Sequence, residues 1–267
     1  MTTRRALLAG AGASGLAAVA RAAPAAPDDT ADWNLILARF LIAGADGVNR
    51  FDYARLQADA VHRARLAAQI ARWCAQQPSA MGSAQAFAFW CNLYNALTVA
   101  IVTERFPVSS IRDISSGPLT RGPWKRHAAT VAGRALSLDD IEHAILRKQW
   151  REPRVHYALN CASIGCPNLQ PRAWQSTSLE RDLDAAARAF IAHPRGVRAL
   201  PDGGVVVSSI YHWFKADFGG DDAGVLSHLR RHAQGDLANR LASVARISGY
   251  VYDWSINAPA PVARTPR

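Results

Sequence analysis

Lysine is almost missing from this chain of 267 residues: Lys125, Lys148 and Lys215 stand alone, so nearly all of the 31 basic side chains are arginine. The formal charge of +10 therefore rests on arginines scattered singly along helical patterns, as a solvated face places them. No basic stripe interleaved with aromatics is present, which argues against nucleic acid as a partner. Cysteine is sparse too, four residues in all, and a chain of this length buries a core without disulfide or metal staples. A cysteine-rich scaffold is thereby excluded. Beyond the first two dozen residues no segment approaches the roughly 18 uninterrupted apolar residues of a membrane span, so no transmembrane anchor is expected in the mature form. Internal repeats and a linker long enough to separate two domains are also absent. What remains is a globular composition, 49% hydrophobic and 19% charged, fitting one domain.

Residues 1–23 place Arg4-Arg5 before Leu7-Leu8, then a short Ala/Gly/Leu run and small residues around Ala20-Arg21-Ala22. This reads as a removable export signal of twin-arginine-like type, too short and too Gly/Ala-rich to span a bilayer. Cleavage after Ala22 would remove Arg4, Arg5 and Arg21 and no acid. The expected location is periplasmic or secreted, where thiols tend to oxidise. Residues 24–31 read as a Pro/Ala/Asp linker, 32–257 as the folded domain and 258–267 as a disordered Pro/Arg tail.

Within the domain, Trp33, Leu37, Phe40 and Leu41 share one helical face, and Tyr53 through Cys74 repeat the pattern after an Asp52 cap. Residues 84–105 are apolar on all sides and end before Pro107, the mark of a buried helix. Thr130–Leu136 reads as a hairpin, and Ser137 with Asp140 forms a capping box that opens a helix through Arg147. Arg154–Asn160 alternates like a strand. Thr177 and Glu180 cap another helix, Asp202-Gly203 turns a second hairpin, and residues 222–233 and 236–245 read as helical. Ile247–Asp253 is a last strand. The expected class is α+β, a single domain with N-terminal helices packed around a small antiparallel sheet.

Three groups could carry chemistry. Asn92 and Asn95 sit three apart inside the most apolar helix, where an unpaired amide costs about 1–3 kcal/mol; they bind either a neighbouring backbone or a ligand. In Asp139-Asp140-Ile141-Glu142-His143, Glu142 lies at the edge of the buried face and His143 stacks four residues after Asp139, as a general base or as one half of a surface ion pair. In the strand reading of Arg154–Asn160, His156 and Cys161 point to opposite faces, so a dyad between them requires the backbone to turn at Asn160. Such a turn could make Cys161 a nucleophile. Cys161 with Cys166 could instead form a small-loop disulfide, join a histidine on a soft metal, or simply pack. Cys74 and Cys91 lie on apolar faces and read as packing residues. Two aromatic-rich stretches, Tyr211–Phe218 and Tyr250–Asn257, carry single polar groups; they read as core, with Asp253 or Asn257 able to orient a Cys–His site.

The blocks Phe89–Thr98, Ser109–Asp113, Leu136–His143, Arg154–Ala162 with Gly165-Cys166-Pro167, and Tyr252–Ser255 together resemble the DUF547 family, in order from about Phe51 to Asn257. The resemblance implies that Asn92, Asn95, Glu142, His143, His156, Cys161 and Cys166 are motif residues. Cys91 departs from the family's usual aliphatic residue, which argues against a role for it. Some eukaryotic members lack the second cysteine, which argues against a universal disulfide or metal site, and the family's name assigns no activity. A more distant similarity to papain-like or transglutaminase-like cysteine enzymes points toward thiol chemistry. The expected function is an exported cysteine-dependent hydrolase or acyl transferase acting on a small peptide, amide or thioester, with no cofactor and no metal. Cys161 would be the nucleophile, His143 or His156 the base and Glu142 the orienter. Asn92, Asn95, Cys166 and Asp253 would contact the substrate. The alternative is a non-catalytic periplasmic binding or scaffold protein with a structural Cys161–Cys166 disulfide.

Overall fold

The computed structural model describes residues 29–260 apart from 116, 118 and 119. The export signal and most of the linker and tail expectations lie outside the described residues. The last part of the linker segment is docked: the Asp29 carbonyl accepts from Gln69 Nε2 at 3.0 Å and Trp73 Nε1 at 2.7 Å, and Thr30 is buried.

Helix α1 (Ala31–Phe40) buries Trp33, Ile36, Leu37 and Phe40 at helical spacing. Strands β1 (Leu41–Ala43) and β2 (Asn49–Phe51) pair antiparallel. The Tyr53–Cys74 stretch, read as one helix, is two: α2 (Tyr53–Ala58) and α3 (Ala60–Cys74). The break is at Asp59, which leaves helical geometry so that its carboxylate can accept from His62 N, as Asp52 accepts from Arg55 N for α2.

Helix α4 (Ser83–Arg105) is the axis of the molecule, with 17 of its side chains buried on all sides. Among the described residues it alone is long and apolar enough to cross a membrane, and 94% of that window is buried inside the protein, so here it is the core helix. Strands β3 (His127–Val131) and β4 (Arg134–Ser137) form the expected hairpin, turning at Ala132-Gly133 with both φ values positive. The capping box also forms: Ser137 Oγ accepts from Asp140 N at 3.1 Å, and Asp140 Oδ2 accepts from Ser137 N at 2.9 Å. The helix it opens is a π-helical segment over Asp140–Leu146, continued by α5 (Arg147–Trp150).

The strand expected at Arg154–Asn160 is instead a one-turn helix, α6 (Val155–Ala158). Glu152-Pro153 starts it, with Val155 N bonded to the Glu152 carbonyl, and all four α6 residues are buried, which removes the inside/outside alternation a strand would need. Helix α7 (Leu179–Ala192) then leads to β5 (Val197–Ala199), β6 (Val205–Ser208), α8 (Ile210–Trp213), α9 (Asp222–His232), α10 (Gly235–Ser243) and β7 (Ile247–Val251). The class is α+β, but the strands make three small sheets, and β7 joins β6 in parallel. A parallel neighbour requires a crossover, which α8, α9 and α10 provide.

After β7 the chain runs as a strap along residues 162–165. Ile164 N donates to the Ser255 carbonyl and Gly165 N to the Asp253 carbonyl, both at 2.8 Å, and Asn257 N donates to the Ala162 carbonyl at 3.0 Å. Gly165 is required here, because a Cβ would stand 2.8 Å from Asp253 N.

Candidate active site

The two asparagines of α4 build the site without entering it. Asn95 Nδ2 donates to the Ala158 carbonyl at 2.9 Å and its Oδ1 accepts from Asn160 N at 2.8 Å. Asn92 holds Trp174 by its backbone carbonyl and N–H in the same way, at 2.9 Å each. With each amide spent on backbone and neither residue lining the pocket, the expectation that Asn92 and Asn95 contact substrate is corrected: they position the segment that carries the thiols. Asn160 continues the chain of amides, donating to the Pro167 carbonyl at 2.8 Å and accepting from Ala162 N at 2.9 Å. Asn257 Nδ2 donates to Asn160 Oδ1 at 3.3 Å, and Asn257 Oδ1 accepts from the Tyr53 hydroxyl at 2.7 Å.

This scaffold turns the backbone sharply after Cys161, where Ala162 takes φ 61°. A non-glycine residue in that region stores strain and persists only where its surroundings over-determine it. The turn brings Cys161 and Cys166 together as free thiols with sulfurs 2.8 Å apart, against ~2.05 Å for a disulfide. Cys161 N donates to Cys166 Sγ at 3.1 Å, and the Tyr252 hydroxyl lies 3.1 Å from Cys166 Sγ and 3.2 Å from Cys161 Sγ. Burial by itself would raise the Cys166 thiol, but hydrogen bonds from Cys161 and Tyr252 outweigh it and bring the group down to about 6. Cys161, whose hydrogen bond to Cys166 and whose burial favour the protonated form, is pushed well up. The negative charge of the pair therefore rests on Cys166, the sulfur that receives a fixed backbone N–H.

Both sulfurs line a pocket of about 190 Å³ that also receives Glu142, His143 and His156. Among the described residues no hydrogen bond joins either sulfur to a histidine. His156 is buried, its ring stacked on Phe214 at 4.1 Å, and its Nε2 lies 2.7 Å from Asp217 Oδ2. Arg147 clamps the same carboxylate through Nε at 2.5 Å and Nη2 at 3.0 Å. Burial pulls the Asp217 carboxyl up, yet the His156 and Arg147 hydrogen bonds prevail and hold it below the usual range. An ionised Asp217 can only accept, so Nε2 carries the proton and Nδ1 is the basic nitrogen. Burial lowers His156 against the pull of Asp217, keeping the imidazole neutral.

Glu142 is raised to about 7 by burial, against a hydrogen bond from the Tyr94 hydroxyl. It comes from the π-helical segment, whose wider turn leaves Asp139, Glu142 and His143 all bordering the pocket. His143 stands at the mouth, half-exposed, with Nδ1 3.2 Å from Arg147 Nη1 and Nε2 3.8 Å from Asp139. The rest of the wall is apolar and mostly aromatic: Tyr252 packs on Trp254 at 4.6 Å and on Trp213 at 4.8 Å, with Leu159, Pro167 and Ile210 beside them.

Asp253, nominated as an orienter and substrate contact, does neither. It is exposed and accepts from Ser255 N at 2.8 Å, shaping the strap. The carboxylate that pairs with His156 is Asp217, in the other aromatic stretch. The signal that could have found it is the same one, a single acid among aromatics, since a buried acid must be paired. Sequence reasoning also missed Arg147, Tyr94 and the hydroxyl role of Tyr252. Cys91 is fully buried and Cys74 packs against the core, as expected.

Residues 78–191 match the family model described as "Protein of unknown function, DUF547". The chain carries a DUF547 region. That region encloses Asn92, Asn95, Glu142, His143, His156, Cys161 and Cys166 and ends before Asp217 and Tyr252, so the carboxylate on His156 and the hydroxyl between the sulfurs come from outside the DUF547 match. No curated protein and no solved structure matches the chain.

Proposed function

We propose that this pocket is the centre of a thiol-dependent acyl hydrolase or acyl transferase acting on a small peptide, amide or thioester. The observation that carries the reading is the meeting, in one aromatic pocket, of a hydrogen-bonded thiol pair, a histidine fixed by a carboxylate, and a buried carboxyl titrating near neutrality. Cys166, rather than the Cys161 expected from sequence, is the nucleophile in this reading, because it is the sulfur that receives a fixed backbone N–H, from Cys161, while the Tyr252 hydroxyl lies within reach of both. Its attack on the acyl carbon forms the new C–S bond. Glu142 protonates the departing amine, or the sulfur of a thioester. His156 Nδ1 then takes a proton from water or from an acceptor nucleophile, with the Nε2–H held by Asp217. That nucleophile bonds the acyl carbon as the C–S bond breaks and Cys166 leaves as the thiolate, and the proton gained by His156 replaces, through solvent, the one Glu142 gave up. The aromatic walls exclude water and accept an apolar acyl chain.

The N-terminal pattern Arg4-Arg5 with Leu7-Leu8 supports export, and we place the activity in the periplasm or outside the cell. The test is incubation of the full chain with a panel of acyl thioesters and peptidyl amides, followed by acid quench and peptide mapping. An acyl group on Cys166 that turns over in wild-type protein and persists in His156→Ala supports the reading. Tight binding with no acyl-enzyme on any cysteine would leave a binding module.

A further inference from the structure

Hydrolysis at Cys166 needs one sulfur, yet the pocket holds two, and the fold spends many bonds on keeping them together. The loop between them is closed at its base by Asn160 on the Pro167 carbonyl and along its length by the strap. Tyr252 lies equally close to both sulfurs, and Ser163 Oγ, 3.2 Å from Cys161 Sγ, supports that hydroxyl at 2.7 Å. The Cys161 thiol steadies a Cys166 thiolate by its hydrogen bond, and at 2.8 Å it also stands where the resolving partner of an exchanging pair must stand. Passing from this separation to the ~2.05 Å of a disulfide takes less than an ångström of sulfur movement. The remaining cysteines are no competitors: Cys91 is fully buried and Cys74 lies outside the pocket.

We propose that Cys161 and Cys166 form a dithiol–disulfide couple that reduces small dialkyl disulfides entering the pocket. The Cys166 thiolate attacks one sulfur of the substrate, forming a mixed disulfide and expelling the other half as a thiolate. Cys161 then attacks Cys166 Sγ, its proton passing to the second departing sulfur, which leaves as a thiol. The dithiol is oxidised by two electrons and the substrate disulfide reduced by two, and an excess of alkyl thiol reverses both steps. The hydrogen bonds that stabilise the reduced pair make its disulfide the more oxidising partner, so the couple cycles and does not lock as a staple. In the closed form the acyl nucleophile is consumed, which would join acyl chemistry to the surrounding thiol pool.

The test uses reduced full-length protein, oxidised glutathione as the disulfide and no acyl substrate, so it stands apart from the acyl reading. Samples are quenched in acid, alkylated and mapped by mass spectrometry. The expected result is loss of two alkylatable thiols per chain with a Cys161–Cys166 cross-link, reversed by reduced glutathione, and accumulation of a single glutathione adduct on Cys166 in Cys161→Ser. Wild-type protein that keeps its free thiols, or that holds a stable adduct without cross-linking, overturns the proposal. A cross-link in wild type with the Cys161→Ser chain unmodified at Cys166 overturns the order of attack. Should Cys161→Ser fail to fold, the wild-type time course decides alone, since a transient Cys166 adduct must precede the cross-link.

Discussion

Glu142 carries the clearest pH signature of any side chain in the pocket. Burial raises its carboxyl from 4.5 to about 7, so between those values the native state holds a proton that the unfolded chain has released. Stability therefore falls as pH rises across that window, and the penalty is fully present above it. Glu142→Gln, which keeps a partner for the Tyr94 hydroxyl, is expected to stabilise the protein by about 3 kcal/mol at pH 8 and by almost nothing at pH 4, read from urea midpoints at the two pH values. Asp217 acts through His156. Asp217→Asn no longer dictates which imidazole nitrogen is protonated, and acyl turnover should fall by roughly 10²–10⁴, with nitrogen chemical shifts of His156 reporting the altered tautomer. A loss of turnover with the tautomer unchanged would make Asp217 merely an anchor for Arg147.

Among the elements, the long core helix and the short pieces packed on it divide the work. Helix α4 is rigid because it is buried on every side, and Asn95 transfers that rigidity to the start of the cysteine loop. Asn95→Leu strands the Asn160 N–H in an apolar setting and leaves the Ala158 carbonyl with Trp174 Nε1 as its donor; it is expected to cost about 1–3 kcal/mol, measured by urea unfolding. Cys166 alkylation should at the same time lose its low-pH reactivity. This role was legible in sequence as one of two readings, since buried amides at that spacing must bind something. The helix caps at Asp52 and at Ser137–Asp140 and the hairpin at Ala132-Gly133 were equally legible, because local hydrogen bonding and turn geometry fix them. Helix α6 was not. Its four residues are too few for a helical period to register, and Val155, Tyr157 and Leu159 mimic the alternation of a strand while every side chain between them is buried too. The π-helical segment was hidden for a similar reason: its capping box is the one an α-helix uses.

For the molecule as a whole, the site joins the DUF547 region to the C-terminal third of the chain. Asp217 arrives with the crossover after β6, and Tyr252 with the strap after β7. Neither contact has a local sequence signal, because both depend on chain segments more than 60 residues from their partners, and the two similar aromatic stretches gave no means of ranking Asp253 against Asp217. The α+β class was readable from the order of elements, whereas the parallel placement of β7 was a matter of tertiary packing. The proposed export would also be a property of the whole chain. Expressed with its own N terminus, the protein should be recovered outside the inner membrane with its mass shortened to a start after Ala22. Replacing Arg4 and Arg5 together by lysine should retain it in the cytoplasm if the twin-arginine route carries it.

The claim on which the rest depends is that the folded chain holds a thiolate on Cys166. Its most direct test is the rate of Cys166 alkylation by iodoacetamide in reduced wild-type protein, followed from pH 4 to pH 10 by peptide mapping. A thiol held below its ordinary range by the Cys161 and Tyr252 hydrogen bonds gives a rate that is already level at pH 8. A rate that climbs only above pH 8, as for an unperturbed thiol, or modification of Cys161 ahead of Cys166, would contradict it.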